Sequence, residues 1–278
     1  MRAHRVAVVV VAIAAALAGC AGPEKPGAPV ETTAAVASPA ALVGLWRVSD
    51  AEGEDDDTWL RLDVRDLTVL RPCGGIFGEW GATDTRFIAA TYGWSSACSG
   101  RRPEVAWLDD AARFELTADG AQLLDAAGAV VASLTVDGDP GHYDDMSGKL
   151  VTAPTPAPSD LARFDEPAPL AAELSPATPE SIVGAWVPEG LVVETEPGVT
   201  FEATGRYSAS DGCNGGHGAW ALEQHGRFLA TTSPTTAAAC DGAPVPYALA
   251  DAFRAGFDGE TLVLLDQGGA ELARFTRA

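Results

Sequence analysis

Two stretches of this chain repeat one another at a nearly constant distance, and any fold it adopts must accommodate that duplication. Val43-Gly44-Leu45-Trp46 returns as Val183-Gly184-Ala185-Trp186, and the stretch from Cys73 to Trp80 returns without a gap as that from Cys213 to Trp220, both 140 positions later. Arg86-Phe87 pairs with Arg227-Phe228 at 141, Cys98 with Cys240 at 142, and Leu123-Leu124-Asp125 with Leu264-Leu265-Asp266 at 141. Five landmarks in order, drifting by two positions, read as a duplicated domain. With 278 residues, 47% of them apolar, there is material for two cores.

Each copy carries the same coarse pattern. Residues 58–70 and 199–210 alternate or are β-branched, and short apolar runs ending at Trp80 and Trp220 and lying at Phe87 and Phe228 continue in strands. In the second copy the spacing of Leu249, Ala250 and Phe253 predicts a helix over 246–255, opened by Pro246 and closed by Gly256. The first copy offers 103–113, with Trp107, Leu108 and Ala111 on one face. Each copy closes with a hairpin, 121–124 with 130–134 and 261–265 with 272–275.

The N-terminus reads as an export address. Arg2 and Arg5 precede an uncharged apolar run from Val6 to Ala18, shorter than the ~20 residues a spanning helix needs. Residues 1–19 are expected to be a signal peptide. Leu17-Ala18-Gly19-Cys20 resembles the bacterial lipobox, which implies acylation of Cys20, palmitate included, and a mature chain held at an extracytoplasmic membrane surface by its lipid. Residues 20–40 then form a tether rich in proline and small residues, with a coil span of about 25 Å. A second proline-rich stretch, 139–180, separates domains expected at 41–138 and 181–278. Its apolar pieces, Leu161 to Phe164 and Leu170 to Leu174, are candidates for docking on a neighbouring domain.

A net charge of -21 repels a phosphate backbone and excludes nucleic acid as a partner. Neither a Gly-x-Ser-x-Gly elbow nor an HExxH motif is present, so no enzyme and no cofactor are expected. The glycines at 215, 216 and 218 lack the lysine and spacing of a phosphate loop and read as a turn. A metal held by Cys213, His217, His225 and Cys240 fits no usual zinc spacing, and Phe77 stands where His217 would recur. The acidic run from Glu54 to Asp57 and the cluster Asp137, Asp139, Asp144 and Asp145 follow no EF-hand pattern and read as solvated loops.

From Val183 onward the second copy resembles the META or HslJ-like domains of bacterial envelope proteins. The resemblance rests on the motif at 183–186, on Asp211-Gly212-Cys213-Asn214 followed by Gly218 and Trp220, on the stretch 236–240, and on the helix and closing hairpin. It implies a compact, partly open barrel-like sheet packed on one helix, with no established catalytic activity. The first copy, with Gly74 for the asparagine and Pro72 for the preceding glycine, resembles a diverged member. The expected fold is therefore α+β, mainly β: two tandem META-like partly open barrels, each an antiparallel sheet with one short helix.

With Cys20 lipidated, four cysteines allow three connectivities, and repetition selects Cys73 with Cys98 and Cys213 with Cys240. Each bridge is worth about 3.5 kcal/mol by the chain-entropy argument. Asn214, the only asparagine in the chain, is expected to serve a positive backbone φ that glycine serves in the first copy. Trp46, Trp186, Trp80 and Trp220 read as core, and the unmatched Trp59, Trp94 and Trp107 as candidates for a surface peculiar to copy one. The expected function is that of a non-catalytic envelope lipoprotein, a binding or scaffolding module in envelope stress or maintenance, with the membrane and an unidentified envelope protein as partners. The alternative is a carrier holding a small apolar ligand or acyl chain in a barrel cleft.

Overall fold

Strand alternation and glycine-containing turns build two antiparallel sheets in the computed structural model, which describes residues 38–95, 103–136, 138, 140–141, 148–191, 194–234, 238 and 242–278. The first sheet is made of β1 (Gly44–Ser49), β2 (Trp59–Leu62), β3 (Asp66–Arg71), β4 (Gly74–Ala82), β5 (Phe87–Trp94), β6 (Arg113–Leu116), β7 (Gly120–Leu124) and β8 (Val130–Thr135). A two-residue strand β9 (Ser175–Pro176) precedes β10 (Gly184–Pro188), β11 (Gly198–Phe201), β12 (Arg206–Ser210), β13 (Gly215–Leu222), β14 (Phe228–Ala230), β15 (Arg254–Asp258), β16 (Thr261–Leu265) and β17 (Glu271–Arg277). The class is mainly β with short helices, as expected.

Strand order is the same in both halves. It runs β5-β4-β3-β2-β1-β8-β7-β6 in the first sheet and β14-β13-β12-β11-β10-β17-β16-β15 in the second, where β9 adds a ninth strand beside β15. Both sheets curl until their outer strands nearly meet. Phe87 N–H donates to the Ala112 carbonyl at 3.0 Å in one, and Phe228 N–H to the Phe253 carbonyl at 2.9 Å in the other. Among the described residues the edges are thus brought together by isolated main-chain contacts, including a bridge between Arg227 and Arg254 in the second half, rather than by a full ladder, leaving a partly open barrel.

Matched aromatics fill the two interiors. Trp46 and Trp186 are buried and donate their indole N–H groups to the carbonyls four residues earlier, Leu42 at 2.8 Å and Ile182 at 2.7 Å. Phe201 meets Trp220 and Phe228 edge to face at centroid distances of 5.4 and 6.1 Å. In the first half Trp80 stacks on Phe87 at 5.9 Å and on Phe164 at 5.4 Å.

Two local expectations are corrected. The helix over 246–255 is shorter, Val245–Asp251, because Ala252 turns extended and the chain enters β15, where five residues pair with β16. The first-half helix is likewise Ala106–Asp110, followed by β6. The closing hairpins are therefore three-stranded meanders. The proline-rich linker docks on both halves: Phe164 is buried in the first core, while the Arg254 guanidinium donates to the carboxylate of Glu166 at 2.5 Å and to the carbonyls of Pro167 and Ala168, each at 3.1 Å.

Candidate functional site

The motif residues of the second half converge on the β12–β13 turn. Asn214 is buried, and its side-chain amide donates to Asp211 Oδ2 and to the Ala238 carbonyl, both at 2.8 Å, while its Oδ1 accepts from Ala238 N–H at 2.9 Å. Asp211 Oδ1 accepts in turn from the backbone N–H groups of Cys213 at 2.8 Å and Asn214 at 2.6 Å. These donors, the Asn214 amide first, hold the Asp211 carboxyl below its ordinary range. Asn214 is a clamp between the turn and the loop that follows β14.

This corrects the backbone reading of Asn214. The non-glycine residues with positive φ among those described are Asp50 and His225, and the left-handed position in this turn is Gly212, at φ 107°. Gly74 does sit at φ 135°, so the first half keeps a glycine for conformation where the second keeps an asparagine for its amide. Gly218 is required by close approach: a Cβ there would overlap the Thr231 carbonyl, as one at the matched Gly78 would overlap that of Ala90. Trp220 donates to the carbonyls of Arg206 at 2.9 Å and Glu202 at 3.1 Å, and Trp80 to that of Asp63 at 2.6 Å. All three motif residues are committed to holding the sheet.

Cys73 and Cys213 occupy matched turns, between β3 and β4 and between β12 and β13. Their expected partners Cys98 and Cys240, like Cys20 and the cluster Asp137, Asp139, Asp144 and Asp145, lie outside the described residues. His217 Nδ1 lies 3.3 Å from Ser233 Oγ, which also accepts the His217 backbone N–H at 3.1 Å. No carboxylate bonds to that ring among the described residues. His225 sits apart in the Gln224–Gly226 turn, and no group of three or more candidate metal ligands occurs among the described residues.

Three residues fare differently from their sequence reading. Glu54, expected in a solvated loop, has a side chain only 3% exposed. Its carboxylate accepts from Arg71 Nε at 2.8 Å and Nη2 at 2.5 Å, from Trp107 Nε1 at 2.7 Å and from Thr58 Oγ1 at 3.0 Å. Trp107 and Trp59 are buried, leaving Trp94, at 38%, as the exposed member of the unmatched trio. Full hydrogen bonding is what makes the burial of Glu54 tolerable. The partner is a distant arginine, so nothing in the local acidic run announces it.

The two sheets meet through corresponding faces. Ile88 and Ala90 of β5 pack on Ala219 and Ala221 of β13 and Leu229 of β14, and Ile88 and Leu229 are themselves matched positions. Glu79 Oε2 accepts from Thr232 N–H at 2.7 Å and from its hydroxyl at 3.1 Å. Arg206 pairs with Asp109 at 2.5 Å beside the first-half helix, and Arg65 with Asp251 at 3.3 Å beside the second-half helix. The contact has the self-complementary character of a two-fold interface, formed within one chain.

Clefts flank this interface on either side. One, of about 790 Å³, is lined by Glu104, Asp109, Arg206, Tyr207 and His217. The other, of about 690 Å³, is lined by Arg65, Glu79, Arg163, Thr232 and Tyr247. Arg163 lies over the rings of Phe164 at 6.0 Å and Phe253 at 5.8 Å, and burial together with the nearby Arg65 charge lowers its pKa to about 10. Burial, and then the negative charge of Glu79, pushes the Tyr207 hydroxyl well above its ordinary range, and this hydroxyl donates to the Thr231 carbonyl at 2.7 Å. Tyr207 is a structural donor, unsuited to act as a base.

No curated protein and no solved structure matches the chain. Among protein families, residues 178–278 match the META domain, the segment that contains the clamp, the close-packed glycine and strands β10 to β17 of the second sheet.

Proposed function

We propose that the protein is a non-catalytic binding or scaffolding module of the cell envelope, anchored through a lipid on Cys20 and presenting two META-like bodies as one unit. The observation that carries this reading is the destination of the motif side chains. Asn214, Gly218 and Trp220 all spend their chemistry on the sheet itself, so recognition falls to the outer surfaces. The first half is read as a diverged copy of the META domain, supported by the identical strand order and the matched tryptophan hydrogen bonds. Pairing of Cys73 with Cys98 and of Cys213 with Cys240 follows from the same reading, and the matched placing of Cys73 and Cys213 in corresponding turns supports it.

The carrier alternative finds less support. Buried aromatics occupy both sheet interiors, and the clefts described lie between the halves or on an outer face. Crosslinking in intact cells tests the proposal. A single envelope protein recovered in stoichiometric yield supports a scaffold, whereas purified protein carrying only lipid or a metabolite would replace it with a carrier.

A further inference from the structure

Duplication supplies an internal comparison for the outer face of the second sheet. In the first half, that face carries Trp59, Arg61 and Leu70, and Gly138 and Thr152 of the following chain touch it. Gly138 stands against Trp59, with a built Cβ 3.6 Å from Cη2, and Arg61 Nε donates to the Thr152 carbonyl at 3.1 Å. Trp59 and Leu70 are 6% and 0% exposed.

Register identifies the counterparts. Gly44 pairs with Leu62 and Arg47 with Trp59, while Gly184 pairs with Phe201 and Trp186 with Val199, so Gly198, Thr200 and Ser210 stand where Trp59, Arg61 and Leu70 stand. Each large residue is replaced by a small one. The result is a groove of about 720 Å³, lined by Val187, Leu191, Pro197, Gly198, Thr200 and Ser210. Val187 and Leu191 are 38% and 40% exposed. Glu196 is on its wall and Glu194 is in the same loop; both are exposed, and neither pairs with a cation among the described residues.

We infer that this groove binds an extended polypeptide segment of a partner protein, with a large apolar side chain seated over Gly198 and a lysine or arginine beside Glu196. In the first half the sheet's own indole, Trp59, fills the place of Gly198, and a side chain of this face, Arg61, holds the main-chain carbonyl of Thr152. Uncompensated carboxylates at the rim select a basic segment. The inference rests on the binding-module reading and names its surface and the class of its partner.

The test uses the full chain and a fluorescein-labelled heptapeptide of alternating threonines containing one tryptophan and one lysine, followed by fluorescence polarisation. Saturable binding is expected, weakened about tenfold by replacing the probe's tryptophan with alanine, and weakened similarly in Gly198→Trp. A Cβ at Gly198 comes within 2.8 Å of the Trp186 carbonyl, so Thr200→Arg serves as a second blocking variant, with thermal melts to verify folding. Absence of saturable binding, or equal binding by folded blocking variants, would overturn the inference while leaving the binding-module reading standing. Concentration-dependent dimerisation abolished by Gly198→Trp would assign the groove to a second copy instead. Cleavage of the probe would overturn the non-catalytic reading itself.

Discussion

Replacing Asn214 by alanine strips the β12–β13 turn of three side-chain hydrogen bonds and leaves the Ala238 backbone without its partners. A loss of about 2–3 kcal/mol is expected, read as a lower denaturant midpoint at unchanged slope. The same turn has a pH signature. The Asp211 carboxyl is held below its ordinary value of 3.8 when folded, so its contribution is fully present above that value and disappears as pH falls through the lower folded pKa. Stability followed by urea unfolding between pH 6 and 2 should therefore fall less steeply at the acid end in Asp211→Asn than in the parent. An equal acid dependence would detach Asp211 from the effect. Legibility at this scale was uneven for a physical reason. Gly218 and Trp220 are explained by sheet packing that a motif position foreshadows, but the buried Glu54 takes a bond from Trp107, 53 positions away, and sits in a run whose local pattern reads as solvated.

Elements tell a similar story. The landmarks at 43–46 and 183–186, the central strands and the closing apolar runs were readable because half-buried antiparallel strands leave a period of two. β6 and β15 were missed: Phe253 continues the helical spacing of Leu249, and only pairing with β16 decides that the following residues extend. Linker docking was foreseeable only as candidate segments, since proline content dominates its composition while a few residues, Phe164 and Glu166 among them, anchor it. Phe164→Ala should cost the protein about 3–4 kcal/mol by opening a cavity beside Trp80. Hydrogen exchange in residues 158–166 should accelerate in the same variant, and unchanged exchange there would show that the neighbouring Glu166 contacts hold the linker unaided.

The molecule as a whole depends on the seam between its two sheets, whose apolar part is small. Ile88→Asp places a carboxylate against Leu229 and Ala219 in the apolar part of the seam. Calorimetry of this variant should resolve two unfolding transitions where the parent has one; a single transition at the parental temperature would mean that the polar contacts of Glu79 and Arg206 carry the docking. The seam also has a consequence for self-association. A self-complementary patch on a lone domain invites pairing with neighbours, but here each patch is already satisfied by its sibling in the same polypeptide. Loosening that internal embrace should therefore create sticky ends, and molecules trading halves with one another would link into open chains.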